Sequence, residues 1–331
     1  MQPTRFDYQP PPWLPGGNAQ TIWAALRARR FDGEPPRFVR ERWAAPDGDF
    51  VDVDHLADAS GLAALQAPRR LVLFHGLEGS SGSQYAQAFA AVARERGWAY
   101  SVPHFRGCSG ELNHAPRAYH SGDFEEIGWI LQRLRATSPQ PLLAVGISLG
   151  GNALLRWAQE AGDSAAATAA AVASVCSPID LASAGRAIDR GFNRRVYARM
   201  FLSTMVPKAL RKWQQHPGLF DRERVAAART IYAFDDAFTA PLHGFKGTDD
   251  YWQRASAAPH LARLRIPALV LNAGNDPFVP VHELPGAQQA GPKVTLWRPA
   301  GGGHVGFPHG GFPGRVQQMP AAVAGWLAAH R

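Results

Sequence analysis

The chain has 331 residues, 46% of them hydrophobic and 19% charged, with 35 Lys/Arg against 27 Asp/Glu for a net charge of +8. This is ordinary for a globular protein and long enough for one large α/β domain or two smaller ones, and two cysteines do not make a disulfide framework. No segment is long and apolar enough to cross a bilayer, and the N-terminus, with Asp7 and Pro10-Pro11-Pro12, lacks the apolar core of a signal peptide, so a soluble cytoplasmic protein is expected.

Residues 1–36 read as a proline-rich N-terminal arm carrying Gly17-Asn18-Ala19-Gln20-Thr21 and a short amphipathic stretch to Arg30. Phe38 to Ala44 and Phe50 to Leu56 flank the turn Pro46-Asp47-Gly48-Asp49, which predicts an antiparallel hairpin. Leu71-Val72-Leu73-Phe74 is a continuous apolar run, the mark of a strand covered on both faces, and it ends in His75-Gly76-Leu77-Glu78-Gly79-Ser80. A helix from Gln84 to Arg96, a strand near Trp98 to Pro103 and a helix from Asp123 to Ala136 follow, with Asp123 as cap and Glu126 three residues on. Pro141 to Val145, Ala170 to Cys176, Ala268 to Asn272 and Val294 to Arg298 read as further strands, and Arg315 to His330 as a closing helix. Cys176 reads as a core thiol, and Cys108 lies in a Gly/Ser loop.

Strands alternating with helices predict an α/β fold, with a mostly parallel central sheet, the hairpin adding antiparallel strands at its edge. Between residues 179 and 264 the strand pattern stops, and the sequence is helix-compatible, aromatic and too long for a loop. It reads as a helical cap inserted in a core made of 37–178 and 265–331. Much of the basic excess lies here, with ten Lys/Arg against three Asp/Glu between Gly185 and Arg224. Arg186, Arg190, Arg194, Arg195, Arg199, Arg211 and Lys212 are interleaved with aromatic and apolar residues. A solvated helix face over the site is the favoured reading, and a face resting on anionic lipid is the other. No nucleic-acid motif accompanies it.

Gly146-Ile147-Ser148-Leu149-Gly150 sits between a strand and a helix, the setting of a nucleophile elbow. A serine nucleophile needs a base, and the base needs an orienting carboxylate. Asp276 lies just past the strand ending at Asn272, where ligands bind open α/β sheets. His304 follows the next strand, within Gly301-Gly302-Gly303-His304-Val305-Gly306-Phe307. The chain order Ser, acid, His is that of the α/β-hydrolases. The oxyanion donors expected are the backbone N–H groups of Leu149, after the nucleophile, and Leu77, in the loop after the Leu71–Phe74 strand. Arg106, Glu111 and His120 are polar loop residues, read as ion-pair or locking groups rather than catalysts. No metal site and no dinucleotide fingerprint is present in the sequence, so no cofactor is expected.

Taken together, Gly17-Asn18-Ala19-Gln20-Thr21, the His75–Ser80 loop, Phe105-Arg106-Gly107-Cys108-Ser109-Gly110-Glu111, Tyr119-His120-Ser121-Gly122, the Ser148 elbow with Gly151-Asn152 and Gly303-His304-Val305-Gly306-Phe307 carry a resemblance over most of the chain. The chain resembles α/β-hydrolases, within them the YheT-like branch of predicted hydrolases and esterases. The resemblance implies a Ser148–Asp276–His304 triad and an ester hydrolase, and relatives in the wider branch act on medium-chain esters, on phospholipids, or as acyltransferases to alcohols. The reading that follows is a serine carboxylesterase for short- to medium-chain esters or lipid-like substrates. The alternatives are acyl transfer to an alcohol, a lipase or phospholipase at an anionic membrane surface, and a non-catalytic binding protein on the same scaffold.

Overall fold

The computed structural model describes residues 5–330. Residues 1–4 of the expected arm and residue 331 of the expected core lie outside the described residues. The sheet has eight strands in the order β1-β2-β4-β3-β5-β6-β7-β8. They are β1 (Phe38–Ala44), β2 (Phe50–Leu56), β3 (Arg70–Phe74), β4 (Ala99–Pro103), β5 (Leu142–Ile147), β6 (Ala169–Val175), β7 (Ala268–Leu271) and β8 (Val294–Trp297). The hairpin β1/β2 and the pair β2/β4 are antiparallel, and all other neighbours are parallel.

Side-chain alternation decides which face each residue serves. Leu71 and Leu73 of β3 and Leu143 and Val145 of β5 enter one core, which also holds Phe89 and Trp326. Val72, Phe74, Leu142 and Ala144 enter the opposite core, with Ile127, Ile130, Leu154 and Leu155. The first core is covered by α2 (Gln84–Glu95), and the second by α3 (Phe124–Ala136) and α4 (Leu149–Ala161). A strand with helices on both faces has no polar face to show water, which is why its sequence is an unbroken apolar run. Strand β2 departs from this. Its Asp52 and Asp54 are buried and take Arg42 and Arg40 at 2.8 and 2.7 Å, so the charges on that face are paired.

Two local expectations are corrected. Asp123 makes no side-chain cap bond to α3. Its carboxylate takes Arg117 at 2.6 Å, and Glu126 takes Arg106 at 2.5 Å. Guanidinium groups with little access to water cost more unpaired than an uncapped helix turn. The closing helix starts at Gln318, not Arg315, because Arg315 exchanges backbone hydrogen bonds with His309 while Arg29 bonds its neighbours, Gly314 O and Val316 N–H. The N-terminal helix α1 (Gly17–Leu26) stops short of Arg30.

Between β6 and β7 the chain forms a helical cap. Its longer pieces are α5 (Leu181–Ile188), α6 (Arg199–Gln215) and α7 (Thr248–Ala255), with π turns at Arg194–Ala198 and Asp235–Thr239. It has an apolar core of its own, including Leu202, Phe220, Phe234, Phe238 and Trp252. Lys212 does not belong to a solvated face. It is 1% exposed and donates to Asn113 O and Ala115 O at 2.5 and 2.9 Å. Burial pushes its ammonium down to about 8. Among the described residues no helix is long and apolar enough to cross a membrane.

Candidate active site

The turn between β5 and α4 forces Ser148 to φ 52°, ψ −120°, a conformation few non-glycine residues adopt. Such a turn works only if the chain packs tightly on either side. A Cβ at Gly146 would collide with the backbone of Gly150 and Gly151, and one at Gly150 with Phe74 O and His75 O. Ser148 is therefore lifted to the C-terminal edge of the sheet, at the N-terminus of α4, where free N–H groups favour negative charge.

Asp276 stands just after β7, with its side chain fully enclosed. Its Oδ1 accepts from the N–H groups of Phe278 and Val279 at 2.8 and 3.3 Å. His304 Nδ1 lies 2.9 Å from Asp276 Oδ2, and His304 Nε2 lies 2.9 Å from Ser148 Oγ. An ionised carboxylate only accepts, so Nδ1 carries the ring proton and the Nε2 lone pair faces the serine. The three residues, far apart in sequence, form one continuous hydrogen-bonded relay.

The relay rests on residues that the sequence reading left without a role. Thr21 Oγ1 accepts from His304 N–H at 2.8 Å, and Gln20 Oε1 from Gly302 N–H at 2.8 Å. Asn275 Oδ1 takes Gly303 N–H at 2.9 Å, while Asn275 Nδ2 donates to Gln20. The N-terminal motif thus grips the glycine loop that carries the histidine. Phe278 adds a ring 4.3 Å from the imidazole. Asn152, one turn along α4 from Ser148, ties the elbow helix to Ser121 O and to Ala255 O, and accepts from Ala257 N–H. The signal for Gln20 and Thr21 was the motif itself. Phe278 left none.

Gly76 packs against Ser148, since a Cβ there would lie 3.2 Å from the serine Cβ. Leu77 and Leu149 border the same cavity as Ser148. Among the described residues neither of their N–H groups has a hydrogen-bond acceptor. His75 is not a second base. Burial pushes its imidazole down to about 3, and Nε2 accepts from Phe105 N–H at 3.1 Å. Arg106 is locked between Glu126 and Asp49, Glu111 holds Arg42 at 2.7 Å, and His120 packs on His243. Burial pushes both thiols up, Cys108 to about 12, so neither is an activated nucleophile.

Ser148 stands where two spaces meet. An open groove of about 420 Å³ runs past Thr21, Leu77, Met200, Phe278 and His304. A more enclosed space of about 100 Å³ lies under the cap, bordered by Leu181, Gly185, Ile188, Phe201 and Trp252. Its walls are largely apolar, which suits a hydrocarbon chain and excludes the water that competes for oxyanion donors. Among the described residues no cluster of three or more His, Cys, Asp or Glu could hold a metal ion.

Residues 69–310 match the model of the α/β hydrolase fold family. The chain is 38% identical over 293 residues to the Escherichia coli (strain K12) protein named "Putative esterase YheT", covering 88% of this chain and 84% of that one. It is 29% identical over 320 residues to the human phospholipase ABHD3, covering 94% and 76%. A bacterial membrane phospholipase A of solved structure superposes with a TM-score of 0.54 at 14% identity, over 94% of this chain and 89% of that one, and shows the shared fold.

Proposed function

Because the chain belongs to the α/β-hydrolase family, in its YheT-like branch, and is a hydrolase of ester bonds, we propose that it is a serine carboxylesterase acting through Ser148, His304 and Asp276. The carrying observation is the relay of 2.9 Å contacts from Asp276 through His304 to Ser148, beside two N–H groups that have no acceptor among the described residues. His304 takes the Ser148 proton as the hydroxyl attacks the ester carbonyl. The N–H groups of Leu77 and Leu149 hold the oxyanion, worth about 10²–10³ in rate for one donor. Asp276 keeps the imidazole tautomer and supports the imidazolium. His304 then protonates the departing alcohol, and water releases the acid by the same steps in reverse roles.

The small apolar space under the cap supports short- to medium-chain acyl groups. Fluorophosphonate labelling and turnover of p-nitrophenyl esters of graded length test the reading. Wild type labels and turns over, and Ser148→Ala does neither, with a loss on the order of 10⁴-fold or more. Wild type that never labels would leave a binding protein on a hydrolase scaffold. Added alcohol as acceptor separates hydrolysis from acyl transfer through the product ratio.

A second reading, action at an anionic lipid surface, has its own observation. Arg194, Arg195, Arg199 and Arg229 border an open hollow of about 940 Å³ on the cap, and among the described residues none of the four is in an ion pair. Leu26 and Met200, at the groove mouth, are 70% and 52% exposed. Flotation with vesicles checks it. Binding that rises with anionic lipid and falls in Arg199→Gln, with melting unchanged, supports it, and binding indifferent to lipid charge defeats it.

A further inference from the structure

Among the described residues, a single ion pair joins the helices between Leu181 and Ala255 to the rest of the molecule. Lys208 Nζ, on α6, lies 2.9 Å from Glu78 Oε2. Glu78 directly follows Leu77, whose N–H is the proposed oxyanion donor. Gly79 N–H donates to Gly76 O at 2.9 Å, so Leu77 and Glu78 are the two central residues of a tight turn. Glu78 has φ 57°, at the position such a turn gives to Gly or Asn. A side chain there is strained, and something must hold it.

Two groups do. From the core side, Glu78 N–H donates to Tyr119 Oη at 3.0 Å, and the Tyr119 hydroxyl donates to Glu78 Oε1 at 2.9 Å. Tyr119 is itself fixed by stacking on Phe105, with ring centres 5.3 Å apart. From the cap side, the remaining carboxylate oxygen takes Lys208. The pair borders a hollow of about 70 Å³ that Leu77 and Leu149 also border. Both groups act on one turn, and a two-residue turn cannot rotate at Glu78 without rotating Leu77.

We propose that the Lys208–Glu78 pair is a latch between the cap and the oxyanion loop. Seating the cap brings Lys208 onto Glu78, and Glu78 then holds the Leu77 N–H aimed into the cavity at Ser148. Glu78 and Lys208 are positioning residues. The donor is fully aligned only while the cap is closed over an acyl chain, which ties catalytic power to occupancy of the space under α5 and α6. This rests on the oxyanion role given to Leu77 above.

The test compares full-length wild type, Lys208→Met, Glu78→Gln, the double variant and Lys208→Arg on p-nitrophenyl hexanoate, whose acyl chain reaches the space under the cap, with melting curves and rates of fluorophosphonate labelling. Lys208→Met and Glu78→Gln each lower kcat about tenfold with KM within about twofold, since a misaimed donor loses part of its worth. The double variant falls no further, because one pair has been cut once. Lys208→Arg restores most of kcat. Glu78→Gln keeps the side-chain size and the acceptor for Tyr119, so it carries the test if Lys208→Met melts without cooperativity. An unchanged kcat, a loss confined to KM, or losses that multiply in the double variant would each overturn the latch while wild-type labelling at Ser148 still stands. Wild type that does not label removes the esterase reading itself, and the latch with it.

Discussion

Every residue of β3, β4 and β5 is buried, whereas of the 17 residues of α6 only Leu202, Ala209 and Lys212 are. The sheet gains stability from apolar area on both faces, and a shift of one residue in register would turn each strand's side chains to the wrong core. The cap has a smaller core, and it is tied to the loops of the core by polar bonds. Lys212 reaches Asn113 O, Tyr251 Oη accepts from Ser121 N–H, and Asn193 donates to Pro277 O. The difference separates two tasks. On the proposed reading, the rigid part carries the reacting groups at loop ends, and the looser part decides what reaches them.

The largest test of that contrast is in the sheet. Phe74→Ala removes a fully buried ring at the end of β3, beside His75 and the elbow. It is expected to cost about 3–5 kcal/mol in denaturant unfolding. A cost under about 1 kcal/mol would mean that the sheet is not the stability reservoir.

Acid comes next and acts on the seam between the two regions. His243 of the cap packs on His120 of the core at 4.5 Å, and burial pushes both imidazoles down, His243 to about 3. Asp123 draws both upward, while Arg117 and the neighbouring imidazole press His243 further down. A histidine with a lowered folded pKa binds its proton more readily unfolded. Its stabilisation is therefore complete above its unfolded value near 6.5 and is lost as pH falls through the window from 6.5 toward 3. From pH 7 to 5 the seam should lose on the order of 2 kcal/mol through His243. Hydrogen exchange resolved by segment would then show Thr248–Ala255 opening before β5. Simultaneous opening of both would merge the two regions into one cooperative unit.

The smallest effect is one of selectivity. Ile188→Ala widens the apolar space under α5 without touching the relay. Preference is expected to move roughly tenfold toward longer acyl esters in kcat/KM, with melting nearly unchanged. Unaltered preference would take acyl choice away from the cap.

The strands were legible because strands covered on both faces leave continuous apolar runs, and β1 and β2 appear with the bounds that the hairpin pattern predicts. Ser148, Asp276 and His304 were legible because each lies where a strand pattern ends, in a fixed order along the chain. What escaped were contacts that join distant segments. Nothing near Lys212 says that its ammonium will be buried on two carbonyls of another loop, and nothing near Asp123 says that Arg117 will claim it. Hydrophobic period reports which face is buried, and it is silent on which polar group across the molecule a charged residue meets. Phe278 was invisible for the same reason, and Glu78 was marked only as part of the His75–Ser80 motif.

The grip of Thr21 on the His304 backbone joins residues 283 positions apart. During synthesis a nascent chain can lay down β1 to β7, fold the elbow and present Ser148 while His304 is still unmade. Even then the His304 backbone must find a partner 283 positions upstream, a long loop to close. If the proposed triad holds, hydrolytic competence is the last step in the making of each molecule, reached after the scaffold is in place. On the proposed mechanism, a chain whose synthesis has not reached His304 carries Ser148 without its proton acceptor and cannot attack an ester.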